Sequence, residues 1–358
     1  MIFLQLRHGA GQSRVFDMIQ IFTGNFRCSF FLVLIFFSGT IFAQSPFQFP
    51  TANHYLYQSG AELKFFAPTD PDKPWTSGSF GCVRDNAHRM HEGLDILHLQ
   101  TDRRGEPTDP VMATADGTVV YISTRPSLSN YGNYIVIRNM VDGMEIYSLY
   151  AHLSAIHPGL AIGQQVKGGD VIATMGRTSN AETIPKWRAH VHFELNVLVN
   201  DNFASWWKKA SPGERNDHGE WNGQNLNGLD DRQILLAEQK GKFNMVDFVR
   251  NQTELCRVLV RATNFPYLKR YPMLVLSNPV AQKEGVAGYE IAFNFNGVAF
   301  ALMPRAESEI KSHAKIQLLS VNDAEARANP CRNLVTHRSG RWELGNEGLR
   351  EVQLLTWQ

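Results

Sequence analysis

The chain contains 358 residues, of which 19% are charged and 43% are hydrophobic, a composition that is typical of a folded protein and excludes a disordered chain. With 35 basic and 34 acidic residues the formal net charge is +1, so composition gives no electrostatic reason to expect a nucleic acid as the main partner. Because a single hydrophobic core rarely grows beyond about 250–300 residues, we expect two domains.

The first informative segment is an apolar run at residues 28–43, CSFFLVLIFFSGTIFA, which follows Arg27 and ends at the small residue Ala43. This pattern predicts a signal peptide over residues 1–43, with Met18 as an alternative start, and therefore an exported protein that is periplasmic or extracellular. The alternative is an uncleaved anchor, because the run approaches the ~17–25 residues that a membrane span needs. Contact with a membrane is expected only through such an uncleaved signal.

Export would place the three cysteines that follow residue 43 in an oxidising compartment, where disulfide bonds persist. Cys256 and Cys331 both lie in the second half of the chain, and we expect them to pair. Cys82 is then left over and is interpreted as a small buried apolar side chain.

After the predicted signal peptide, the pattern of apolar and polar residues changes along the chain. Residues 111–200 consist of short alternating apolar runs that are separated by glycine-containing turns. This pattern is typical of an all-β sandwich or barrel-like domain, and we assign that mainly β domain to residues 44–205.

The rest of the chain, residues 206–358, is predicted to be a linker and a second domain. Residues 211–231 are polar and rich in glycine, which indicates a linker or a long surface loop, and we assign the linker to residues 206–240. Residues 241–358 are expected to form a smaller α+β domain of unknown role. Within it, residues 247–263 carry apolar positions at helical spacing, and Asn296–Gly297 between two alternating apolar runs predicts a β-hairpin.

The segment HVHFEL at residues 190–195 alternates polar and apolar residues. On a β-strand this alternation places His190, His192 and Glu194 on one face and the apolar residues on the other face, against a core. Two imidazoles on one face suit a metal site, although such pairs also occur on solvated surfaces. Glu194 is interpreted either as support beneath this site or as one partner of a surface salt bridge.

The segment HEGLD contains a second pair of candidate ligands, His91 and Asp95. In a straight strand their Cα atoms would lie about 13 Å apart. That separation is awkward for two ligands that form ~2 Å bonds to one ion. The chain must therefore bend, and Gly93 permits a bend. Glu92 would point away from His91 on an extended chain and is not expected to take part.

Together, His91, Asp95 and His192 supply two imidazoles and one carboxylate, a donor set that suits one zinc ion per chain and leaves a fourth position for water. An open position distinguishes a catalytic site from a structural one. His152, in the motif YAHL, and His190 then remain beside the metal as imidazoles that are not ligands. Two such groups can take a proton from the metal-bound water and stabilise the developing charge.

The motifs HxxxD, YxHL and HxH occur in this order over about 100 residues and resemble those of the lysostaphin- or LytM-type zinc metalloendopeptidases. The resemblance covers roughly residues 75–200 and includes segments between the motifs, such as ATADGTVVYIS and GQQVKGGDVIATMG. It implies a glucose-permease-like β-sandwich (the duplicated hybrid motif), the same three zinc ligands, and His152 and His190 as the catalytic pair. It also implies hydrolysis of the peptide cross-links of bacterial peptidoglycan.

One segment departs from the family pattern. Residues 178–189 replace a short glycine-rich turn before HxH and contain the run Pro185–Arg188, so the family's preference for glycyl bonds is in doubt here. Two alternatives are a non-catalytic cell-wall-binding or hydrolase-activator protein on the same scaffold and a zinc peptidase that acts on other proteins. The presence of all five candidate residues favours an enzyme. The sequence decides neither the oligomeric state nor whether residues 44–80 cover the groove.

Overall fold

The computed structural model describes residues 47–181, 183–241 and 243–358. The predicted signal peptide, its alternative start and the possible anchor lie outside the described residues. Within the described ranges, no helix is both long enough and apolar enough to cross a membrane.

The described chain is mainly β, as the sequence predicts. The strands in chain order are β1 (Gly81–Arg84), β2 (Arg89–His91), β3 (Leu94–Leu97), β4 (Pro110–Met112), β5 (Gly117–Ser123), β6 (Tyr134–Val141), β7 (Met144–Ala151), β8 (Ala155–Ile156), β9 (Gln165–Val166), β10 (Val171–Thr174), β11 (His190–Leu198), β12 (Leu226–Gly228), β13 (Cys256–Val260), β14 (Gly288–Phe293), β15 (Ala299–Arg305), β16 (Ile316–Val321), β17 (Val335–Arg338) and β18 (Arg341–Leu344). The helices are α1 (Glu62–Phe65), α2 (Phe203–Ala210), α3 (Asp231–Gln239), α4 (Met245–Arg250), α5 (Pro266–Arg270), α6 (Pro279–Glu284), α7 (Asp323–Ala328) and α8 (Asn346–Leu355).

The largest sheet has the strand order β12-β11-β7-β6-β5-β9, and β3 also pairs with β11. Strand β11 is buried along its whole length because β7 covers one of its edges while β3 and β12 share the other. A smaller sheet, β4-β10-β8, contributes Val111 and Ile172 to the same core that Val119 and Ile137 of the large sheet enter. Two sheets that share one core form a sandwich.

The C-terminal part is built around the antiparallel sheet β15-β14-β13-β16. The predicted hairpin is confirmed, because β14 and β15 pair across a turn in which Gly297 has a φ of +87°. The helix expected over residues 247–263 is only half correct, since α4 ends at Arg250 and Cys256–Val260 form β13. That segment pairs with a strand on each side, and this pairing outweighs its helical spacing.

The linker expected at residues 206–240 is instead structured. It contains most of α2, all of β12 and α3, and it buries Trp206, Leu229 and Leu235 in the main core. The prediction failed because the buried apolar residues are few and widely spaced in a segment that is otherwise polar and rich in glycine. The described residues belong to one compact unit whose core is continuous across this region.

The predicted disulfide between Cys256 and Cys331 is wrong. Cys331 is bonded to Cys82, with 5.4 Å between the Cα atoms, and Cys256 is a buried free thiol. Cys256 begins β13 in the interior of the C-terminal sheet, where burial raises the pKa of the thiol to about 12. Proximity in sequence therefore selected the wrong partner, because the fold brings the more distant cysteine next to Cys331.

Candidate metal centre

Strand pairing brings the candidate residues of distant segments together. In the antiparallel pair of β11 and β3, His192 lies directly opposite Asp95, so both side chains point to the same face of the sheet. On the other edge of β11, His192 lies opposite Ala151, the last residue of β7. The next residue is His152, which therefore enters the site from the end of β7.

His91 reaches the site because the chain breaks between β2 and β3. The glycine at this break lies close to β11: a Cβ atom on Gly93 would be 2.1 Å from the carbonyl oxygen of Phe193. The expected bend is present, and the glycine is required by this close approach of two backbones. His91 Nε2 consequently lies 3.0 Å from Asp95 Oδ1 and 3.1 Å from His192 Nδ1.

The three donor atoms fit a zinc ion. His192 Nδ1 lies 3.0 Å from Asp95 Oδ1, so the three atoms form a nearly equilateral triangle. Ligand atoms at ~2.0 Å from a tetrahedral zinc ion are separated by roughly 3.3 Å, close to the distances found here. All three residues are buried. Among the residues that the structure describes, they form the one cluster of histidine, cysteine or acidic side chains whose donor atoms lie close enough together to hold a metal ion.

The hydrogen bonds behind the two imidazoles fix which nitrogen faces the site. His91 Nδ1 donates to the carbonyl oxygen of Ser79 at 2.8 Å, which leaves Nε2 as the atom with a free lone pair. His192 Nε2 lies 2.7 Å from Glu194 Oε1 and donates to it, so Nδ1 faces the site. An acceptor on the far nitrogen is the usual way that proteins orient a histidine ligand.

Glu194 supports the site from beneath and is not part of a surface salt bridge. The side chain is fully buried and also accepts hydrogen bonds from Tyr131 Oη at 2.7 Å and Asn196 Nδ2 at 2.9 Å. Burial raises the pKa of its carboxyl group, but the hydrogen bond and charge of His192, together with the hydrogen bonds from Tyr131 and Asn196, leave the pKa below its usual value. Glu194 therefore remains an anion that orients His192.

The two carboxylate oxygens of Asp95 contact different groups. Oδ1 faces the imidazoles, whereas Oδ2 accepts hydrogen bonds from Arg84 at 2.7 Å and Arg188 at 3.1 Å. Burial raises the pKa of Asp95, yet the neighbouring His190, His91 and Arg84 together hold it well below its usual range. The carboxylate is thus ionised and fixed in orientation.

Sequence reasoning missed the two arginines. Arg84 lies on β1, and Arg188 lies in the segment 178–189 that departs from the family pattern. That segment therefore also supports a candidate ligand, because the buried Arg188 side chain reaches Asp95. No local pattern marks either arginine, since both contacts depend on the tertiary fold.

The two remaining imidazoles lie beside the triangle of donor atoms. His152 Nδ1 donates to the carbonyl oxygen of Thr178 at 2.8 Å, and His190 Nδ1 donates to that of Arg188 at 2.6 Å. Their ring centroids are 4.8 Å apart. Each ring therefore presents Nε2, and His190 Nε2 lies 3.3 Å from Asp95 Oδ1.

His152 is held neutral in a strained position. Burial and the nearby rings of His190 and His192 keep the pKa of His152 well below its usual value. Its backbone has a φ of +61°, which is uncommon for a residue other than glycine and is often found at functional sites. A neutral Nε2 can accept a proton.

The site opens into a groove of about 1230 Å³. The segment before β1 forms part of its wall through Thr69, Lys73 and Ser77. The segment 178–189, which departs from the family pattern, contributes residues 179–181. The candidate ligands and both further imidazoles line this groove.

Residues 89–203 match the model of Peptidase family M23. The murein hydrolase activator NlpD of Salmonella dublin is 37% identical over 128 residues, which cover 35% of this chain and 29% of that protein. The same-named protein of Escherichia coli K12 is 37% identical over 105 residues, 29% of this chain and 22% of that protein. The matched region thus spans under a third of these relatives. Among solved structures, the catalytic domain of lysostaphin from Staphylococcus simulans is 22% identical over 37% of this chain and 75% of that chain, with a TM-score of 0.24.

Proposed function

We propose, from the premise that residues 89–203 form a domain of peptidase family M23, that this protein is an exported zinc metalloendopeptidase that hydrolyses peptide cross-links of bacterial peptidoglycan. The observation that carries the proposal is the triangle formed by His91 Nε2, Asp95 Oδ1 and His192 Nδ1, with sides of 3.0–3.1 Å, beside two further imidazoles. The names of the relatives, which refer to murein, support the substrate class.

His91, Asp95 and His192 would hold one zinc ion per chain. Zinc bound to such a donor set polarises a carbonyl group and lowers the pKa of water towards ~7. The carboxylate of Asp95 is held in orientation by hydrogen bonds from Arg84 and Arg188, and the ring of His192 is kept in the required tautomer by Glu194. The chain's contribution is therefore a donor set that needs little rearrangement.

His152 and His190 would handle protons and charge. The neutral Nε2 of His152 is free to accept a proton from the attacking water and to return it to the leaving amine. His190 presents its own Nε2 to the same groove and can stabilise the negative charge that develops on the carbonyl oxygen of the substrate. Because Nδ1 of each ring already donates to a backbone carbonyl, both rings are held for these roles.

The proposal is tested by measuring the zinc content of the purified protein and the release of new amino termini from isolated peptidoglycan, with and without a chelator. We expect one zinc ion per chain and release that the chelator abolishes. His192→Ala should lose both zinc and activity. His152→Ala should keep zinc and lose activity by about 10²–10⁴-fold. His157→Ala, an imidazole on an exposed turn, is the matched control and should behave as the wild type.

Full activity of the His152 variant would refute the assigned role. Zinc without release of amino termini would refute hydrolysis of peptidoglycan, and cleavage of denatured protein by the same preparation would then favour a peptidase that acts on other proteins.

The second candidate function is that of a non-catalytic activator of murein hydrolases, and the names of the relatives favour it. In that case the protein would stimulate a separate hydrolase without releasing amino termini by itself, and His152→Ala would stimulate as well as the wild type. The same digestion, repeated with an added murein hydrolase, separates the two functions.

A further inference from the structure

One wall of the groove is formed by residues outside the segment that matches the family model. These are the turn at residues 222–224 and Arg332, which line the groove together with His91 and His192. A second hollow of about 600 Å³, lined by Trp206 and Arg350 among others, is also bordered by Gln224 and Arg332. Arg332 therefore lies where the groove of the metal centre meets this second hollow.

The backbone of Arg332 is fixed relative to the metal centre. A short 3-10 helix at Pro330–Arg332 packs against β2, the strand that ends at His91. Cys331, the preceding residue, is bonded to Cys82 on β1, and its sulfur lies 3.7 Å from that of Met90. The disulfide thus anchors this part of the C-terminal region to the hairpin that carries a candidate zinc ligand.

The guanidinium group of Arg332 has unused hydrogen-bond donors. Its contact with Glu351 is 3.9 Å long, which is beyond hydrogen-bond distance, and its Nε atom is buried without a hydrogen-bond partner among the described residues. The other arginines of the groove are engaged: Arg84 and Arg188 bind Asp95, and Arg89 pairs with Asp85 at 2.8 Å. Arg332 lies near the carboxyl groups of Glu351 and Glu92 but, unlike the other three, has no hydrogen-bonded acid among the residues that the structure describes, so its donors remain open to a ligand.

We propose that Arg332 binds a carboxylate of the substrate peptide and so makes the enzyme selective for anionic peptides. The planar guanidinium group matches a carboxylate with two parallel hydrogen bonds, and such a contact is strong when it is partly shielded from water. The Arg332 side chain is 28% exposed, which leaves it accessible to a ligand while shielding part of it. This inference rests on the proposed function only for the identity of the polymer.

The experiment compares isolated peptidoglycan with the same material after its free carboxyl groups have been converted to amides. Two quantities are measured for the full chain: co-sedimentation with each polymer in the presence of a chelator, and the release of amino termini with zinc. Hydrogen bonds to charged groups are worth enough for an effect of about tenfold or more. We therefore expect the wild type to bind native peptidoglycan at least about tenfold more tightly than the amidated form.

Arg332→Gln should bind native and amidated peptidoglycan about equally tightly. Arg332→Lys should keep part of the preference for the native polymer. Arg338→Gln is the matched control, because it removes the same charge from an exposed position outside the groove and should keep the full discrimination. A thermal melt of each variant separates loss of binding from loss of folding.

Equal binding of the wild type to both polymers, binding to neither, or full discrimination by Arg332→Gln would each overturn the role of Arg332. Because binding is measured with the zinc removed, it is independent of catalysis. Discrimination that depends on Arg332 without any release of amino termini would uphold this inference while refuting the proposed peptidase.

Discussion

Asp95 and His192 are direct neighbours across two antiparallel strands, and their side-chain atoms Oδ1 and Nδ1 lie 3.0 Å apart. The candidate metal centre is therefore part of the hydrogen-bonded ladder between β3 and β11. A shift of one residue in that register would turn one of the two side chains to the opposite face. The geometry of the site is consequently only as stable as the pairing of these strands.

Gly93→Ala should disrupt the metal centre through this pairing. The added methyl group would lie 2.1 Å from the carbonyl oxygen of Phe193, so β3 and β11 would have to separate. We expect a loss of about 3 kcal/mol or more in the free energy of unfolding, together with weaker zinc binding. Urea denaturation and zinc titration measure the two effects. Gly168→Ala, where the nearest atoms are 3.4 Å from the new Cβ, is the control, and an equal loss in both variants would contradict the explanation.

Glu194→Ala should weaken zinc binding without removing a ligand. The change leaves the Nε2–H group of His192 and the hydroxyl group of Tyr131 without their acceptor. Loss of such a supporting contact typically costs about 10–100-fold in metal affinity. Competition with a chromophoric chelator measures this affinity, and Glu194→Gln, which keeps an acceptor oxygen, should lose less.

Asp231→Asn provides the control for this experiment. Asp231 is another buried acid, and it accepts a hydrogen bond from the backbone of Leu195. Its replacement should change stability and leave zinc affinity unaltered. If both variants weakened zinc binding equally, general destabilisation would explain the result better than orientation of His192.

Reduction of the disulfide between Cys82 and Cys331 should destabilise the protein. The bond joins residues 249 positions apart, so its loss releases a long loop in the unfolded chain. Removal of a native disulfide typically costs roughly 2–5 kcal/mol. A reductant should therefore lower the melting temperature of the wild type and of Cys256→Ala, but not that of a variant with serine at positions 82 and 331. If the reductant had no effect on Cys256→Ala, the bond assignment would be wrong.

Glu351 should make stability depend on pH. Burial on α8 raises the pKa of Glu351 from 4.5 to about 7, because the hydrogen bond from Asn227 and the charge of Arg332 only partly offset burial. Between these two values the folded protein binds more protons than the unfolded chain. The stabilising contribution is therefore complete below about pH 4.5 and is lost as the pH rises towards 7.

Glu351→Gln, which resembles the neutral acid, should remove this slope and unfold less readily than the wild type at pH 8. The free energy of unfolding, measured in urea from pH 4.5 to 8, checks the expectation. Glu347→Gln, which removes an exposed acid whose charge is the smallest of the causes that raise the pKa of Glu351, should keep most of the slope. An unchanged slope in Glu351→Gln would show that another group titrates.

The sequence alone determined the local chemistry of the site. The alternation of HVHFEL sets the two faces of β11, and the pattern HxxxD with a central glycine indicates two ligands on a bent chain. The Asn-Gly pair likewise predicts its hairpin, because the turn depends on the residues within it. These features are readable because each is set by neighbours within a few residues.

Only the tertiary structure decided which distant residues meet. Arg84 and Arg188 bind Asp95, Glu194 orients His192, and Cys331 bonds to Cys82 and not to Cys256. The contact of Glu194 with His192 lies within the alternation of one strand and is readable locally, whereas the arginine contacts and the disulfide leave no local pattern because they join separate elements through the packing of one continuous core. Residues 206–240 were misread for the same reason: a few apolar side chains in a polar segment become structured only when a core is present to receive them.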